Sequence, residues 1–359
     1  MLLQGIYPAL TTPFYSDGRL YLKKIEHNAD RYSRTPIAGV VVLGSTGEAV
    51  MLSDEEKREV LRATRAATAD AKVLIAGTGA ESAIETLKLT EYAARLGYDA
   101  ALVRTPFYYR AQVTHGDAGA KSQLAFYRWV ADRSPLPLVL YSVPPFTAYD
   151  LPIEVVQELA QHDNIIGLKE SSGNVARVRE LVERTKQYKK TFAVTPTFEA
   201  ATQRMLSAGS ASAAPDAAGL VTTIANAESA VAVSDPPKSA VKTRTKEVPF
   251  QVLVGAAHTL QDSLQAGAAG AVLAFADPAP TACFEVYAAW KDNDQKLAAV
   301  KQERITSAAK RMGGEFGVAG VKYAMDLNGY YGGPTRLPLL PLTGDQRAQI
   351  DDMMREIRN

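Results

Sequence analysis

Short apolar runs recur along the chain, and each is followed by a longer stretch whose apolar positions repeat at helical spacing. The runs fall at about 4–10 (QGIYPAL), 37–43 (IAGVVVL), 73–77 (VLIAG), 99–104 (DAALVR), 137–142 (PLVLYS), 164–169 (NIIGLK), 250–254 (FQVLV) and 270–275 (GAVLAF). They are mostly continuous rather than alternating, the pattern of parallel strands covered on both faces. Helices are expected at about 21–34, 53–69, 80–96, 118–133, 152–161, 175–188, 258–266 and 278–291. Ser53-Asp-Glu-Glu56 has the spacing of a capping box, and Gly97 stands where a helix stops. Eight βα units in succession predict a closed (β/α)8 TIM barrel. An open doubly wound sheet is the competing architecture. Against it, Gly77-Thr-Gly79 lacks the third glycine of a dinucleotide fingerprint, and no GxxxxGK[ST] occurs.

Three further helical patterns, about 294–312, 317–328 and 343–357, follow the eighth unit. They divide the chain into a barrel over 1–292 and a C-terminal helical region over 293–359. One stretch breaks the rhythm. Residues 195–247, between the sixth helix and the seventh strand, are rich in Ala, Ser and Thr and carry one aromatic, Phe198. This reads as an insertion with a short helix at 198–208, closed by Asp-Pro-Pro at 235–237 and a basic run at 242–246. Both its ends should lie at the N-terminal face of the barrel, away from reacting groups. The basic run reads as a solvated connection.

Composition narrows the function. With 47% hydrophobic residues in 359, the chain has material for a large core. Its 40 basic and 39 acidic residues give a net charge of +1 and no reason to expect a nucleic-acid or membrane partner. The start, MLLQGIYPALTTPF, is not a secretory signal, and no run of 18 apolar residues occurs, so a soluble cytoplasmic protein is expected. The single cysteine, Cys283, has no partner for an internal disulfide and reads as core. Histidines 27, 115, 162 and 258 show no metal-ligand spacing, so no metal is expected. No GxSxG marks a serine hydrolase.

In a βα barrel the reacting groups sit at the C-terminal ends of the strands. Those ends carry Thr11-Thr12-Pro13, Gly44-Ser45-Thr46-Gly47-Glu48, Thr105-Pro106-Phe107-Tyr108-Tyr109-Arg110, Tyr141-Ser142-Val143-Pro144 and Lys169. One reading of a strand-end lysine is a side chain that simply extends to solvent. Buried among strands, such an amine attacks carbonyls, and tyrosines at neighbouring strand ends supply the proton transfers that imine chemistry needs. The Gly44–Gly47 turn offers hydroxyls and backbone N–H groups suited to a carboxylate, or serves only as a tight N-cap turn.

The motifs GIYPALTTPF, GSTGE, TPFYY, YSVP, GLKESSG and RLPLLPL occur in order. With them the chain resembles the dihydrodipicolinate synthase and N-acetylneuraminate lyase family of Schiff-base class I aldolases over nearly its whole length, the insertion excepted. The resemblance implies a TIM barrel and a covalent imine between lysine and a 2-oxo acid, usually pyruvate, with no separate cofactor. It assigns Lys169 to the imine and Tyr141 to proton transfer at the reacting oxygen. Ser45 links Tyr141 to a second tyrosine, Tyr108, which reaches in from a neighbouring subunit of a homotetramer. Ser45 and Thr46 hold the 2-oxo acid carboxylate, while Gly255 and Val272 line the pyruvate site. Dihydrodipicolinate synthases carry an arginine where this chain has Phe146. YSVP, FYYR and GYYGGPTRLPL look closer to 4-hydroxy-2-oxoglutarate aldolases, although those usually have asparagine at that position. The reading is therefore an aldolase that cleaves or forms a 4-hydroxy-2-oxo acid, with pyruvate and an aldehyde as its small-molecule partners. Dihydrodipicolinate synthase is the alternative, as is a sugar-acid dehydratase using the same lysine. A non-catalytic binding protein could discard Lys169, which this chain keeps.

Overall fold

A computed structural model describes residues 1–210 and 242–357. The apolar runs form β1 (Gly5–Pro8), β2 (Gly39–Val42), β3 (Val73–Gly77), β4 (Ala100–Arg104), β5 (Leu138–Ser142) and β6 (Ile165–Glu170). The chain then makes a separate antiparallel pair, β7 (Lys189–Val194) and β8 (Arg244–Pro249). It returns for β9 (Gln251–Val254) and β10 (Gly270–Leu273). Among the described residues the large sheet has eight strands in the order β1-β10-β9-β6-β5-β4-β3-β2, and each strand-to-strand pairing is parallel. The Ala9–Val41 bridge, with Leu10 N donating to Val41 O at 2.9 Å, joins its two ends. The fold is a (β/α)8 TIM barrel.

Strand periodicity sorts the apolar residues into two layers. Tyr7, Val41, Ile75, Leu102, Val139, Leu253 and Val272 fill the barrel. Their neighbours Ile6, Val40, Leu74, Ala101, Leu140, Val252 and Leu273 pack outward against the helices. The Ser53 capping box forms as read: its Oγ accepts from Glu56 N at 3.2 Å, and the Glu56 carboxylate accepts from Ser53 N at 3.0 Å. After the eighth unit come helices Gln295–Arg311, Gly317–Leu327 and Gly344–Met354, the first two joined through a π turn at Met312–Phe316 that contains Gly313-Gly314.

The excursion before the seventh barrel strand begins earlier than the composition implied. The sixth helix stops at Thr185, and β7 starts at Lys189. The basic run is largely a strand rather than a loose connection, since β8 pairs with β7 from Lys189–Pro249 to Val194–Arg244. Two of the six residues of β7 and four of the six of β8 are exposed, so neither reads as an apolar run; Val194 and Val248 bury against Leu2. The short helix lies at Gln203–Ser210, and residues 211–241 lie outside the described part. Gln203 N donates to Asp99 Oδ1 at 2.7 Å, and Arg204 donates to Gly97 O at 3.1 Å and to Lys72 O. Those acceptors precede β3 and β4, so this part of the insertion covers the N-terminal face of the barrel. Among the described residues no helix is long and apolar enough to cross a membrane, and no cluster of His, Cys, Asp and Glu could hold a metal ion.

Candidate active site

At the C-terminal mouth, three neighbouring strands present their inward residues side by side: Arg104 of β4 is in register with Tyr141 of β5, and Tyr141 with Lys169 of β6. Tyr141 faces inward because it shares the parity of Val139. Lys169 reaches that face through a register shift. Leu138 pairs with Ile165, but Val139 pairs with Gly167, so β6 carries one extra residue there. Such a bulge inverts the in-and-out alternation beyond it. Lys169 is therefore 5% exposed, with its Nζ 4.4 Å from the centre of the Tyr141 ring. The Tyr141 hydroxyl lies 3.3 Å from Ser45 Oγ.

Ser45 and Thr46 occupy the turn after β2. Gly47 N donates to Gly44 O and Glu48 N to Ser45 O, each at 3.1 Å. The Thr12 hydroxyl holds Gly47 O at 2.6 Å. Glu48 closes the turn in a left-handed conformation, φ +55°. Its buried carboxylate lies 2.5 Å from Lys322 Nζ and accepts from Arg336 N at 2.9 Å. Arg336 also binds the Glu56 carboxylate and Gly18 O, so the C-terminal region clamps the turn. On the other side, Glu170 accepts from Arg177 Nε at 2.8 Å and from Ser172 N at 2.7 Å, fixing the chain after Lys169. Gly255 lies against that segment: a Cβ there would stand 2.0 Å from Ser171 Oγ. Val272 is packed in the same interior layer as Tyr141.

Asp277, beyond β10, is fully buried. One carboxyl oxygen accepts from Thr11 N at 3.1 Å, and the other has no protein partner. Burial pushes its carboxyl well above the usual carboxylate range, against the Thr11 N–H and the charge of Lys169. Burial likewise raises the Cys283 thiol, in keeping with a core cysteine.

Two predicted residues are not brought into this group. Tyr108 is 75% exposed, packs edge-on against Tyr109, and makes no hydrogen bond with Ser45. Phe146, in the turn after β5, is 64% exposed. Conversely, Arg104, Asp277 and Lys322 escaped the sequence reading. Arg104 was visible as the last residue of a strand run; Lys322 lies in an ordinary helical pattern and carried no signal.

The dihydrodipicolinate synthetase family model matches residues 2–227 and 219–357. The chain belongs to this family. The 4-hydroxy-tetrahydrodipicolinate synthase of Methanothrix thermoacetophila is 30% identical over 356 residues, covering 99% of this chain and 97% of that protein. Dihydrodipicolinate synthase from Thermotoga maritima has the same fold, with a TM-score of 0.76 at 22% identity over 99% of both chains. The chloride-inhibited dihydrodipicolinate synthase of Acinetobacter baumannii, solved with pyruvate, gives 0.74 at 26% identity over 99% of this chain and 98% of that one. These relatives carry the name of the alternative activity rather than that of 4-hydroxy-2-oxoglutarate aldolase. Family membership makes the protein a lyase of the aldolase type.

Proposed function

We propose that the protein joins pyruvate to an aldehyde, or breaks the same bond, through an imine on Lys169. The carrying observation is the inward, in-register pair of Lys169 and Tyr141, with Ser45 on the tyrosine hydroxyl. The Lys169 amine attacks C2 of the 2-oxo acid. The C2 oxygen leaves as water after gaining protons through Tyr141, and an iminium remains. That cation is an electron sink: the C3 proton passes to the Tyr141 oxygen that gave up its own, the C3–H electrons form an enamine, and the enamine C3 then bonds to the aldehyde carbon while the aldehyde oxygen takes that proton back from Tyr141. Water then returns the amine. Cleavage is the reverse. The carboxylate of the 2-oxo acid lies on Ser45, Thr46 and the N–H groups of their turn, and Gly255 and Val272 bound the pyruvate. Tyr108, exposed in its own chain, extends the relay of a neighbour in a homotetramer.

The relatives' name supports aspartate semialdehyde as the aldehyde. Phe146 supports a second reading, an aldolase of 4-hydroxy-2-oxo acids, because a ring makes no charged bidentate contact with a carboxylate. Reduction with borohydride in the presence of pyruvate should label Lys169, and Lys169→Ala should remain unlabelled. Label on another lysine, or none, defeats the imine assignment. Assays with aspartate semialdehyde and with a panel of 4-hydroxy-2-oxo acids then separate the two substrate readings.

A further inference from the structure

The cavity beside Tyr141 has a volume of about 230 Å³, and Ser45, Tyr141, Thr78, Glu81 and Arg104 are among its lining residues. Arg104 shares the inward parity of Leu102, two positions earlier on β4. Neighbouring strands lie about 4.8 Å apart, so the backbones of Arg104 and Lys169, two strands apart, are separated by about 10 Å across Tyr141. Gly79 makes the space: a Cβ there would stand 2.4 Å from Arg104 N and 2.9 Å from its Cγ. The guanidinium is held at one corner. Its Nη1 donates to Glu81 Oε1 at 2.6 Å, and its Cζ lies 4.9 Å from the centre of the Phe107 ring. Glu81 is itself fixed by the N–H groups of Phe107 and Tyr108, both at 2.9 Å. The Nε–H and Nη2 donors of Arg104 have no partner among the described residues, although the side chain is only 18% exposed. The other cations at this cavity are committed or lie elsewhere. Lys57 pairs with Asp54 at 3.1 Å, Lys88 with Glu85 at 2.8 Å, and Arg58 lies over Tyr92.

We propose that Arg104 selects the aldehyde partner by receiving a carboxylate at its far end. The inference rests on the imine reading of Lys169. A short carbon chain growing from the imine past Tyr141 heads along the strand-end row towards the two idle guanidinium donors. A planar guanidinium matches a carboxylate there in a way an ammonium does not. Glu81 fixes the arginine's direction and also weakens its pull on an anion, because its carboxylate shares the cavity.

The test compares acceptors with pyruvate on the full chain: glyoxylate and aspartate semialdehyde against acetaldehyde and propanal, followed by pyruvate consumption. The wild type should favour the carboxylated acceptors at least tenfold in kcat/KM. Arg104→Met should lower that ratio by about tenfold or more, mainly through KM of the carboxylated acceptors, with Arg104→Lys between the two. Glu81→Gln, which removes the competing charge while keeping an acceptor for the loop N–H groups, should raise the ratio. A wild type without preference for the carboxylated acceptors, or with no turnover of them, overturns the proposal. So does an Arg104→Met variant that slows both classes equally, or a Glu81→Gln variant that shifts the ratio the same way as Arg104→Met. Borohydride labelling by pyruvate separates the two levels: labelled Lys169 with an unmoved ratio sinks Arg104 alone, whereas unlabelled Lys169 sinks the imine reading.

Discussion

The buried pair of Glu48 and Lys322 ties the substrate-facing turn to the C-terminal helices, and its rupture should be costly. Lys322 is 1% exposed; its Nζ lies 2.5 Å from Glu48, donates to Pro334 O at 2.8 Å and stands 4.5 Å from the Phe14 ring centre. Burial pulls the Lys322 ammonium below its usual range, and Glu48 opposes that pull. Lys322→Met retains the packing but leaves the Glu48 carboxylate buried with only the Arg336 N–H. Removing one member of a buried pair costs about 3–5 kcal/mol, because the remaining charge stays desolvated. Unfolding entropy near 2.1 cal/mol/K per residue gives roughly 0.75 kcal/mol/K for 359 residues, so the melting temperature should fall by about 4–7 °C. The double variant Lys322→Met/Glu48→Gln carries no orphaned charge and should recover most of that loss. Circular dichroism during heating reads both. Labelling by pyruvate and borohydride should slow in the single variant, because the turn holding Ser45 and Thr46 is released. A single variant melting within about 1 °C of the wild type would refute the argument, as would a double variant less stable than the single one.

Three other substitutions separate chemistry from support. Tyr141→Phe removes one hydroxyl and should slow turnover by about 10² to 10⁴, with melting little changed; near-normal rates would remove Tyr141 from proton transfer. Asp277 is a buried acid with a raised folded-state pKa, so the stability it lends is complete below the ordinary carboxylate range and disappears as pH rises through the raised value. Asp277→Asn, still an acceptor for Thr11 N–H, should match the wild type in urea midpoint near about pH 4 and exceed it increasingly towards about pH 9; parallel profiles would count against a neutral buried acid. Arg204 is buried at the opposite face of the barrel, donating to Gly97 O and Lys72 O and lying 3.5 Å from Asp99. Arg204→Ala should lower the melting temperature by several degrees yet leave Lys169 labelling intact, and a large loss of labelling in the folded variant would connect that face to the site.

The barrel was legible because all eight of its strands are apolar runs of the kind that both-face burial demands, and because the helical patterns between them, one opened by the Ser53 cap and one stopped by Gly97, keep the βα rhythm. β7 and β8 were hidden for the opposite reason. Lys189, Thr191, Arg244 and Thr245 face solvent, so the pair is held by its ladder and by a few contacts beneath it rather than by an apolar stretch. Composition marked that region as different but placed its start late, because Lys189-Lys190-Thr191 resembles the polar end of a helix.

The site was legible to the extent that strand ends are predictable. Lys169, Tyr141 and Ser45 each close a readable strand or open the turn behind it, and the closed barrel brings those ends together without further information. The side-chain directions were not readable. Counting by twos from Ile165, whose side chain packs outward, turns Lys169 outward as well. Only the extra residue between the pairings Leu138–Ile165 and Val139–Gly167 brings it to the interior beside Tyr141. That irregularity depends on two strands separated by a helix and leaves no local mark. The residues that hold the turn are harder still, because Glu48, Lys322 and Arg336 meet only after the C-terminal helices return to the mouth of the barrel. A strand-end motif therefore identifies the reacting groups, while their orientation and support come from pairings made across the whole chain.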